Sequence, residues 1–400
     1  MKKVDAVVIG AGIQGAGIAQ AIAAAGHSVI VLEQTAVAAA TSSASSKLIH
    51  GGLRYLESAQ FSLVRKSLKE RGRLLNNAPE LVKLVPFYIP LYQNSKRKPW
   101  QIFAGLSLYA ILGGLGQHAR FKRLPKKNYK NLNITKEGLR AVYQYLDAQT
   151  DDMQLTQAVM YSAIQLGAEL FCPAQFVSAH STDSHVRLKY MLDTKEYSLT
   201  SQVLINATGP WVNDVLKKIT PHNNGLEMDL IQGIHLLLDV PAFNGIYYVE
   251  APQDHRAVFV IPWKGKCLIG TTETLHEGNP KETQATENEM NYLLTVFKHY
   301  FPDENTTVLE VMSGLRVLPA SKTGEHGSAF NKPRDTILHT STNNVLSIYG
   351  GKLTAYRSTA EDVLHAIADC LPQAKPKADT KTIKLQKVDA SVFSHGVQHE

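Results

Sequence analysis

The chain of 400 residues is 44% hydrophobic and 19% charged, which is ordinary for a soluble protein and long enough for one large or two interleaved domains. Its net charge of +7 suits an anionic ligand or an anionic membrane surface, but it is too dispersed to predict nucleic-acid binding. Cys172, Cys267 and Cys370 are isolated, so neither a disulfide framework nor a metal motif is predicted, and a reducing compartment is favoured.

The N-terminal stretch predicts a dinucleotide-binding unit. An apolar strand is followed by Gly10, Gly12 and Gly15 in the spacing G-x-G-x-x-G, then by a helix of small residues and a second strand. Gly10 allows a tight turn, Gly12 a close approach of backbone to a pyrophosphate, and Gly15 contact between helix and strand. Glu33, at the end of the second strand, is placed to accept hydrogen bonds from an adenosine ribose. This pattern predicts FAD and NAD equally.

A second informative stretch, residues 41–57, follows directly and reads TSSASSKLIHGGLRYLE. Its first half offers hydroxyl groups suited to a phosphate or a flavin ring. Gly51 and Gly52 then allow a close backbone approach before the basic and aromatic pair of Arg54 and Tyr55. A serine-rich surface loop is the alternative, but such a loop is not expected to end in an apolar segment carrying His, Arg and Tyr.

These two stretches closely resemble the FAD-dependent glycerol-3-phosphate dehydrogenases of the aerobic type. Further motifs agree in order along nearly the whole chain: INATGPWV (205–212), VFVIPW (258–263), LIGTTE (268–273), SGLRVLP (313–319) and GGKLTAYR (350–357). The resemblance implies FAD rather than NAD. It also implies an α/β fold of the glycine-oxidase and amino-acid-oxidase type, with a Rossmann-like FAD-binding domain and an interleaved antiparallel-sheet substrate domain. The family's usual C-terminal helical domain is expected to begin roughly where this sequence ends.

The remaining periodicities predict how the chain divides. Helices are predicted over residues 61–75, 145–166 and 287–301, antiparallel strands over 231–240 and 245–272, and strands returning to the first domain over 310–318 and 345–349. A final helix opens at 350–354, and a Lys-rich tail follows. The predicted domains are an FAD-binding domain (1–85, 145–215 and 308–372), a substrate domain (86–144 and 216–307) and a tail (373–400).

One segment is suited to a lipid surface. The apolar run from Pro99 to Gly116 lies between a basic cluster at residues 96–98 and a second at residues 120–127. Basic residues on both sides argue against a spanning helix. A monotopic membrane-surface helix and a core helix with solvated basic flanks both remain open. The protein is therefore expected in the cytoplasm, with peripheral attachment to the inner face of the cell membrane as one interpretation.

Oxidation of a secondary alcohol needs a hydride acceptor, a proton acceptor and anchors for the rest of the substrate. Arg54 and Arg316 lie in matching family motifs, which implies that they bind a substrate phosphate through bidentate guanidinium forks. Lys352 is placed to stabilise an anionic reduced flavin or to polarise the substrate oxygen. His50 and His235 are both candidates for the proton acceptor, with a slight preference for His50 beside Arg54. Each histidine can instead be structural.

Other polar groups complete the predicted site. Tyr55 can add a hydroxyl donor to the phosphate, and Thr271 is a predicted contact of the substrate hydroxyl or the flavin. The residues that the nucleotide pattern and the resemblance together assign to the cofactor are Gly10, Gly12, Gln14, Gly15, Glu33, Thr41, Ser42, Ser46, Lys47, Leu48, Val177, Ala207, Gly209, Gly314, Gly351, Lys352, Leu353 and Thr354.

The resemblance implies oxidation of sn-glycerol 3-phosphate to dihydroxyacetone phosphate by hydride transfer from C2 to flavin N5, with electrons passed to quinone or another acceptor. An amino-acid or amine oxidase on the same fold is one alternative. It needs only one arginine for a carboxylate, whereas two arginines and Lys352 favour phosphate. A non-catalytic FAD-binding module is a second alternative. The sequence leaves open whether the acceptor is quinone or oxygen, and whether the protein is a homodimer.

Overall fold

The computed structural model describes residues 2–222, 224–320, 336–342 and 344–393, with only the backbone of Gln117 and Thr342. Within these ranges the strands, in chain order, are β1 (Lys2–Ile9), β2 (Val29–Leu32), β3 (Leu48–Ile49), β4 (Val82–Tyr92), β5 (Phe121–Arg123), β6 (Leu139–Thr150), β7 (Ala168–Phe171), β8 (Ala174–Ser181), β9 (Val186–Leu192), β10 (Lys195–Asn206), β11 (Ile219–Thr220), β12 (Met228–Pro241), β13 (Ile246–Glu250), β14 (Ala257–Trp263), β15 (Lys266–Gly270), β16 (Thr274–His276), β17 (Val308–Pro319), β18 (Ile337–Thr342) and β19 (Val345–Tyr349).

Helices cover both sheets. In the same ranges they are α1 (Ile13–Ala24), α2 (Phe61–Asn77), α3 (Pro99–Leu112), α4 (Asp152–Gln165), α5 (Val212–Leu216), α6 (Glu287–Tyr300) and α7 (Tyr356–Ala366). None of these helices combines the length and apolar character needed to cross a membrane. The predicted final helix starts later than expected, because a short 3₁₀ turn (Leu353–Ala355) precedes α7.

The first sheet has nine strands and is parallel at its centre. Strand β1 lies between β2 and β10, and β7 and β19 extend the parallel part. Strands β8, β9 and β10 add an antiparallel meander. Both faces of β2 and of residues 6–9 of β1 are buried, which is why these residues are apolar without interruption. Helix α1 packs against α4 and α7, and a Cβ at Gly17 would lie 2.5 Å from the Tyr356 ring, so this glycine permits the close packing.

The second sheet has ten strands and is mostly antiparallel. Its order is β16, β12, β15, β14, β13, β4, β6 and β3, with β17 paired to β12 and β5 paired to β6. Helix α6 covers this sheet through Leu293, Phe297 and neighbouring apolar residues, which explains its amphipathic pattern. Helices α2 and α3 pack together and contribute Leu68 and Leu106 to a second apolar group. This group and the one that contains Leu293 and Phe297 lie on opposite faces of β6.

Two expectations about strands and helices were wrong. The helix predicted over 145–166 begins only at Asp152, because the residues before it belong to β6 and pair with β4. Asp151 caps the helix by accepting a hydrogen bond from Gln154 N at 3.1 Å. Strand β17 does not return to the first sheet but pairs with β12 in the second. An apolar strand pattern carries no information about which sheet the strand joins.

The Lys-rich C-terminal segment has neither a strand nor an α-helix in its described part, yet it is bound to the fold. Lys377 N donates to Ala24 O at 2.7 Å at the end of α1, and Leu385 N donates to Asn77 O at 2.7 Å at the end of α2. Leu385 is buried. The segment therefore ties the ends of α1 and α2 together. The predicted domain limits stay a prediction.

Candidate active site

The glycine turn between β1 and α1 forms a cradle with space that side chains would fill. Gly10 has φ +96°, and a Cβ there would lie 2.9 Å from Ala207 O. A Cβ at Gly15 would lie 1.9 Å from Gly10 O, so the helix and the turn touch only because residue 15 is glycine. Gly12 directly precedes α1, whose N-terminal end carries a positive partial charge that favours an anion. This geometry fits a pyrophosphate.

Glu33 closes the same cradle. Its Oε2 accepts a hydrogen bond from Ala11 N at 2.8 Å, and its Oε1 accepts from Thr35 N at 2.8 Å and from Thr35 Oγ1 at 3.0 Å. The carboxylate is thus fixed across the glycine turn by residues of the turn and of the strand end. That placement suits a ribose contact, which stays a prediction.

The hydroxyl-rich loop is held on three sides. Ser42 Oγ accepts from Ile13 N at 2.9 Å at the start of α1, and Thr41 Oγ1 donates to Leu315 O at 2.9 Å on β17. Lys47 Nζ lies 2.7 Å from Asp152 Oδ1, with both side chains buried. The ammonium of Lys47 is therefore engaged in an ion pair at the start of α4.

The other predicted cofactor residues lie on several elements of both sheets. Leu48 is buried in β3 and Val177 lies at an irregularity of β8. Gly209, with φ +55°, follows β10, and Gly314 pairs with Gly233 across β17 and β12. Gly351 has φ +115°, and a Cβ there would lie 2.5 Å from Gln14 Nε2. Segments far apart in the sequence, around Ala207 and Gly351, therefore lie next to the glycine turn and the start of α1.

The side chain of Gln14 independently indicates that the cradle fits a ligand. Its Nε2 donates to Lys352 O at 3.4 Å, whereas its Oε1 is buried and has no hydrogen-bond partner among the described residues. A buried acceptor without a donor is costly, so native proteins usually satisfy it. Together with the glycine cradle, this orphaned oxygen shows that the residues present fit a bound dinucleotide.

A cluster of arginines lies beside the cradle. Arg54 Nη1, Arg316 Nη1 and Arg256 Nη2 lie 3.6, 3.3 and 3.4 Å from the carboxylate oxygens of Glu273. The Glu273 side chain is only 3% exposed. The structure therefore brings Arg54 and Arg316 together and adds Arg256 and Glu273 to them. Three guanidinium groups around one carboxylate leave a net positive site, which attracts an anion.

Arg316 is oriented by the end of β15. Its Nη2 donates a hydrogen bond to Thr271 Oγ1 at 3.0 Å, so the two predicted substrate residues are in contact. A Cβ at Gly233 would lie 2.4 Å from Arg316 Nη2 and 2.5 Å from Thr271 Oγ1. Glycine at this position of β12 is what lets the guanidinium approach the backbone of the strand.

Two cationic side chains lie close to the Tyr55 ring. The ring centroid lies 3.8 Å from Lys352 Nζ and 5.3 Å from the Arg54 guanidinium carbon. Cation–π attraction offsets part of the repulsion between these two positive groups. Lys352 is thereby placed beside the arginine cluster rather than out in solvent.

Both candidate histidines are neutral near pH 7, although only His235 is fully buried and His50 is partly buried. Burial lowers the pKa of His50 to about 4, against the opposing effect of the Asp147 carboxylate. Burial also lowers the pKa of His235 to about 3, and the nearby cations of Arg316 and Lys47 lower it further. A neutral imidazole can accept a proton.

The two histidines differ in what they touch. His50 N donates to Thr354 Oγ1 at 3.2 Å, which links the loop to the segment before α7. His235 Nε2 lies 3.0 Å from Ser46 Oγ, and its Nδ1 is buried without a hydrogen-bond partner among the described residues.

Arg256 and Glu273 are the site residues that sequence reasoning missed. Arg256 lies two residues before the VFVIPW motif, and Glu273 ends the LIGTTE motif. Their positions inside or beside recognised motifs were the available signal. Their mutual contact depends on the turn after β15 reaching the start of β14, which no local pattern shows.

Comparisons with known proteins agree with this geometry. The family model for FAD dependent oxidoreductases, DAO, matches residues 5–357. The glycerol-3-phosphate dehydrogenase of Synechocystis sp. is 34% identical over 418 residues, covering 98% of this chain and 74% of that protein. The D-erythritol 1-phosphate dehydrogenase of Brucella abortus is 32% identical, covering 92% of this chain and 74% of that protein. The FAD-complexed glycerol-3-phosphate dehydrogenase structure from Bacillus halodurans has a TM-score of 0.74 at 26% identity, covering 98% of this chain and 70% of that chain.

The dinucleotide cradle and the cationic pocket beside it define an FAD-dependent oxidoreductase, and FAD is its cofactor. The chain belongs to the glycerol-3-phosphate dehydrogenase family of these flavoproteins. The resemblance, the fold class and the choice of FAD over NAD are thereby confirmed. The roles of individual site residues stay predictions.

Proposed function

We propose that this protein oxidises the secondary alcohol of sn-glycerol 3-phosphate to dihydroxyacetone phosphate. The observation that carries the proposal is the arginine cluster beside the flavin cradle. Arg54 and Arg316 lie within 3.6 and 3.3 Å of one buried carboxylate, Glu273, which aligns both guanidinium groups. A phosphomonoester carries nearly two negative charges, so it suits such a pair better than the single charge of an amino-acid carboxylate does.

FAD supplies the hydride acceptor when bound. The chain's own residues bind and orient the substrate: Arg54 and Arg316 hold the phosphate, and the Thr271 hydroxyl, fixed by Arg316, faces the rest of the substrate. Lys352 adds a positive charge next to the substrate oxygen. His50 accepts the hydroxyl proton as the C2 hydride leaves, because its imidazole is neutral at pH 7. The Asp147 carboxylate favours the protonated ring, whereas the cations of Lys352 and Arg54 oppose it. The FAD-side contacts are those of the glycine cradle, Glu33 and Gln14.

The experiment is anaerobic addition of sn-glycerol 3-phosphate to the purified holoprotein, followed by the loss of yellow flavin colour. We expect full bleaching by sn-glycerol 3-phosphate and very slow bleaching by glycerol, which lacks the phosphate. Glycine tests the amine-oxidase alternative. Bleaching by glycine without bleaching by the phosphate ester contradicts the proposal.

D-erythritol 1-phosphate is a second candidate substrate, because one relative at 32% identity is named for it. The arginine cluster binds the phosphate of either compound equally well. The length of the polyol is therefore what must be compared. Competition between the two phosphates in the same anaerobic assay, read as the ratio of kcat/KM, identifies the preferred one.

We further propose that α3 lies on a membrane surface, which would bring the enzyme to a lipid-dissolved quinone. Trp100 is 70% exposed, Phe103 55% and Ile111 59%. Large aromatic and apolar side chains exposed on one helix favour the membrane interface. The exposed Lys98 precedes this helix and the exposed Lys122 lies on the neighbouring β5, where both can meet anionic lipids.

A further inference from the structure

The phenol of Tyr109 lies on the buried side of α3 and contacts the loop that carries His50 and Arg54. Its hydroxyl accepts a hydrogen bond from Gly51 N at 2.7 Å and donates one to Asp147 Oδ2 at 2.6 Å. Tyr109 is 4% exposed and Asp147 is 1% exposed. A hydroxyl that donates to a buried carboxylate makes a charge-assisted hydrogen bond, which is stronger than a neutral one. One hydroxyl therefore joins α3, β6 and the active-site loop.

Asp147 is itself held firmly. Its second oxygen, Oδ1, accepts a hydrogen bond from Arg71 Nη1 at 2.7 Å, and the same Nη1 donates to Leu146 O at 3.2 Å. Arg71 belongs to α2 and is buried. Since both carboxylate oxygens are engaged, the acceptor that orients the Tyr109 hydroxyl cannot shift without breaking a buried ion pair.

The backbone N–H of Gly51 needs a hydrogen-bond acceptor from outside the sheet. Strand β3 pairs with β6 only through Leu48 and Ile49, so the ladder of the second sheet ends before His50. The Gly51 N–H lies beyond the ladder and is buried, where an unpaired donor is costly. A Cβ at Gly51 would lie 2.6 Å from Tyr109 Oη and 2.7 Å from Leu68 Cδ2. Glycine at position 51 is therefore what allows the backbone to approach the Tyr109 hydroxyl this closely.

We propose that Tyr109 is a positioning residue, which fixes the Gly51 peptide and so orients His50 on one side and Arg54 on the other. The effect of Tyr109 on catalysis rests on the proposed function. The positioning of the loop by the hydrogen bond between Tyr109 and Gly51 does not. Tyr109 does not touch the reacting atoms. It acts through the backbone of the loop.

The test is Tyr109→Phe in the full-length holoprotein, which removes the hydroxyl and keeps the ring packed. We expect hydrogen–deuterium exchange in a peptide covering residues 50–56 to become at least tenfold faster. We expect the Kd of sn-glycerol 3-phosphate, from the concentration dependence of anaerobic flavin bleaching, to rise roughly tenfold, or about 1.4 kcal/mol. The limiting bleaching rate should fall by a smaller factor, and FAD content should be unchanged.

Tyr145→Phe is the matched control, because this neighbouring ring packs edge-to-face on Tyr109 at a centroid distance of 6.0 Å and is also buried. We expect it to leave both the exchange and the Kd at the parent's values. Exchange that is unchanged in Tyr109→Phe, or equally fast in both variants, overturns the proposal. If sn-glycerol 3-phosphate does not bleach the parent's flavin, the proposed function fails. The exchange measurement then decides by itself whether Tyr109 fixes the Gly51 peptide.

Discussion

Nη1 of Arg316 lies 3.3 Å from Oε1 of Glu273, a carboxylate whose side chain is only 3% exposed. The pair joins β17 to the turn after β15, two elements far apart in the chain. Because Glu273 also meets Arg54 and Arg256, the carboxylate holds three like charges together until an anionic substrate arrives. It neutralises one charge of the cluster and leaves the others for the substrate.

Removing either phosphate arginine should weaken substrate use selectively. A hydrogen bond to a charged group contributes roughly 1.5 to 3 kcal/mol. Arg54→Ala and Arg316→Ala should therefore each lower kcat/KM for sn-glycerol 3-phosphate about tenfold to a hundredfold or more. The rate with glycerol should change little. Arg187→Ala, an exposed arginine of β9, is the control and should behave like the parent. Equal losses on both substrates would show that the arginines hold the flavin or the fold instead.

Arg256 offers a test that only the structure suggests. Its Nη2 lies 3.4 Å from Glu273 Oε2, so Arg256→Ala leaves that carboxylate less compensated and free to pull Arg54 and Arg316 away from the substrate. We expect the KM for sn-glycerol 3-phosphate to rise roughly tenfold, within the range for a hydrogen bond to a charged group. Steady-state kinetics with a dye acceptor measure it. An unchanged KM would show that two arginines suffice to align Glu273.

Glu33→Ala should weaken FAD retention. The change removes the acceptor of Ala11 N in the glycine turn as well as the predicted ribose contact. An unsatisfied buried donor costs roughly 1 to 3 kcal/mol, so FAD affinity should fall about fivefold to a hundredfold. Titration of the apoprotein with FAD measures this. Glu169→Ala is the control, since Glu169 lies on β7 of the same sheet and pairs with Lys2 at the surface. Full FAD affinity in Glu33→Ala would remove this residue from the site.

The buried histidines should make stability depend on acidity. The pKa of His50 is lowered to about 4 and that of His235 to about 3, so the folded state favours the neutral rings while the unfolded chain takes up protons near pH 6.5. Their contribution is complete above pH 6.5 and is lost as the pH falls from 6.5 towards 4 and 3, respectively.

Thermal unfolding measured between pH 7 and pH 4.5 should therefore show a smaller fall in Tm for His50→Asn and His235→Asn than for the parent. His118→Asn, an exposed position, should keep the parent's slope. Comparing slopes rather than absolute Tm values removes the general cost of altering a buried residue. Parallel slopes in all variants would show that both rings are charged or solvated in the folded protein.

Vesicle binding should depend on the basic residues around α3. Arg97 is excluded from the test because it pairs with Glu57 and Glu250. Each remaining charge near the surface contributes about 1 kcal/mol. We expect the parent to sediment with anionic vesicles at low salt, with partial release at high salt as the charges are screened. The variant replaces Lys96, Lys98, Lys122 and Arg123 by Gln and should lose most binding, with flavin reduction by substrate unchanged.

A charge-matched control decides whether position matters. It replaces four exposed lysines elsewhere, Lys83, Lys195, Lys218 and Lys281, by Gln. This control should sediment as the parent does. Equal binding by both variants would show that α3 does not face the membrane.

Local patterns were enough to determine the parts of this protein that depend on neighbouring residues. The turn at Gly10 and the acidic residue at Glu33 could be predicted because a nucleotide cradle is built within one strand–helix–strand unit. Arg54 and Arg316 were likewise identified from their motifs. Their chemistry could be inferred because a guanidinium carries its charge in any environment.

The tertiary structure alone decided which distant segments meet. An alternating strand pattern shows that β17 is a strand but not that it pairs with β12, and that pairing is what brings Arg316 to Thr271 and Glu273. The hydrogen bond from Gly51 to Tyr109 likewise joins residues separated by 58 positions. Contacts of this kind are set by sheet register and helix packing, which depend on the whole core rather than on any short stretch.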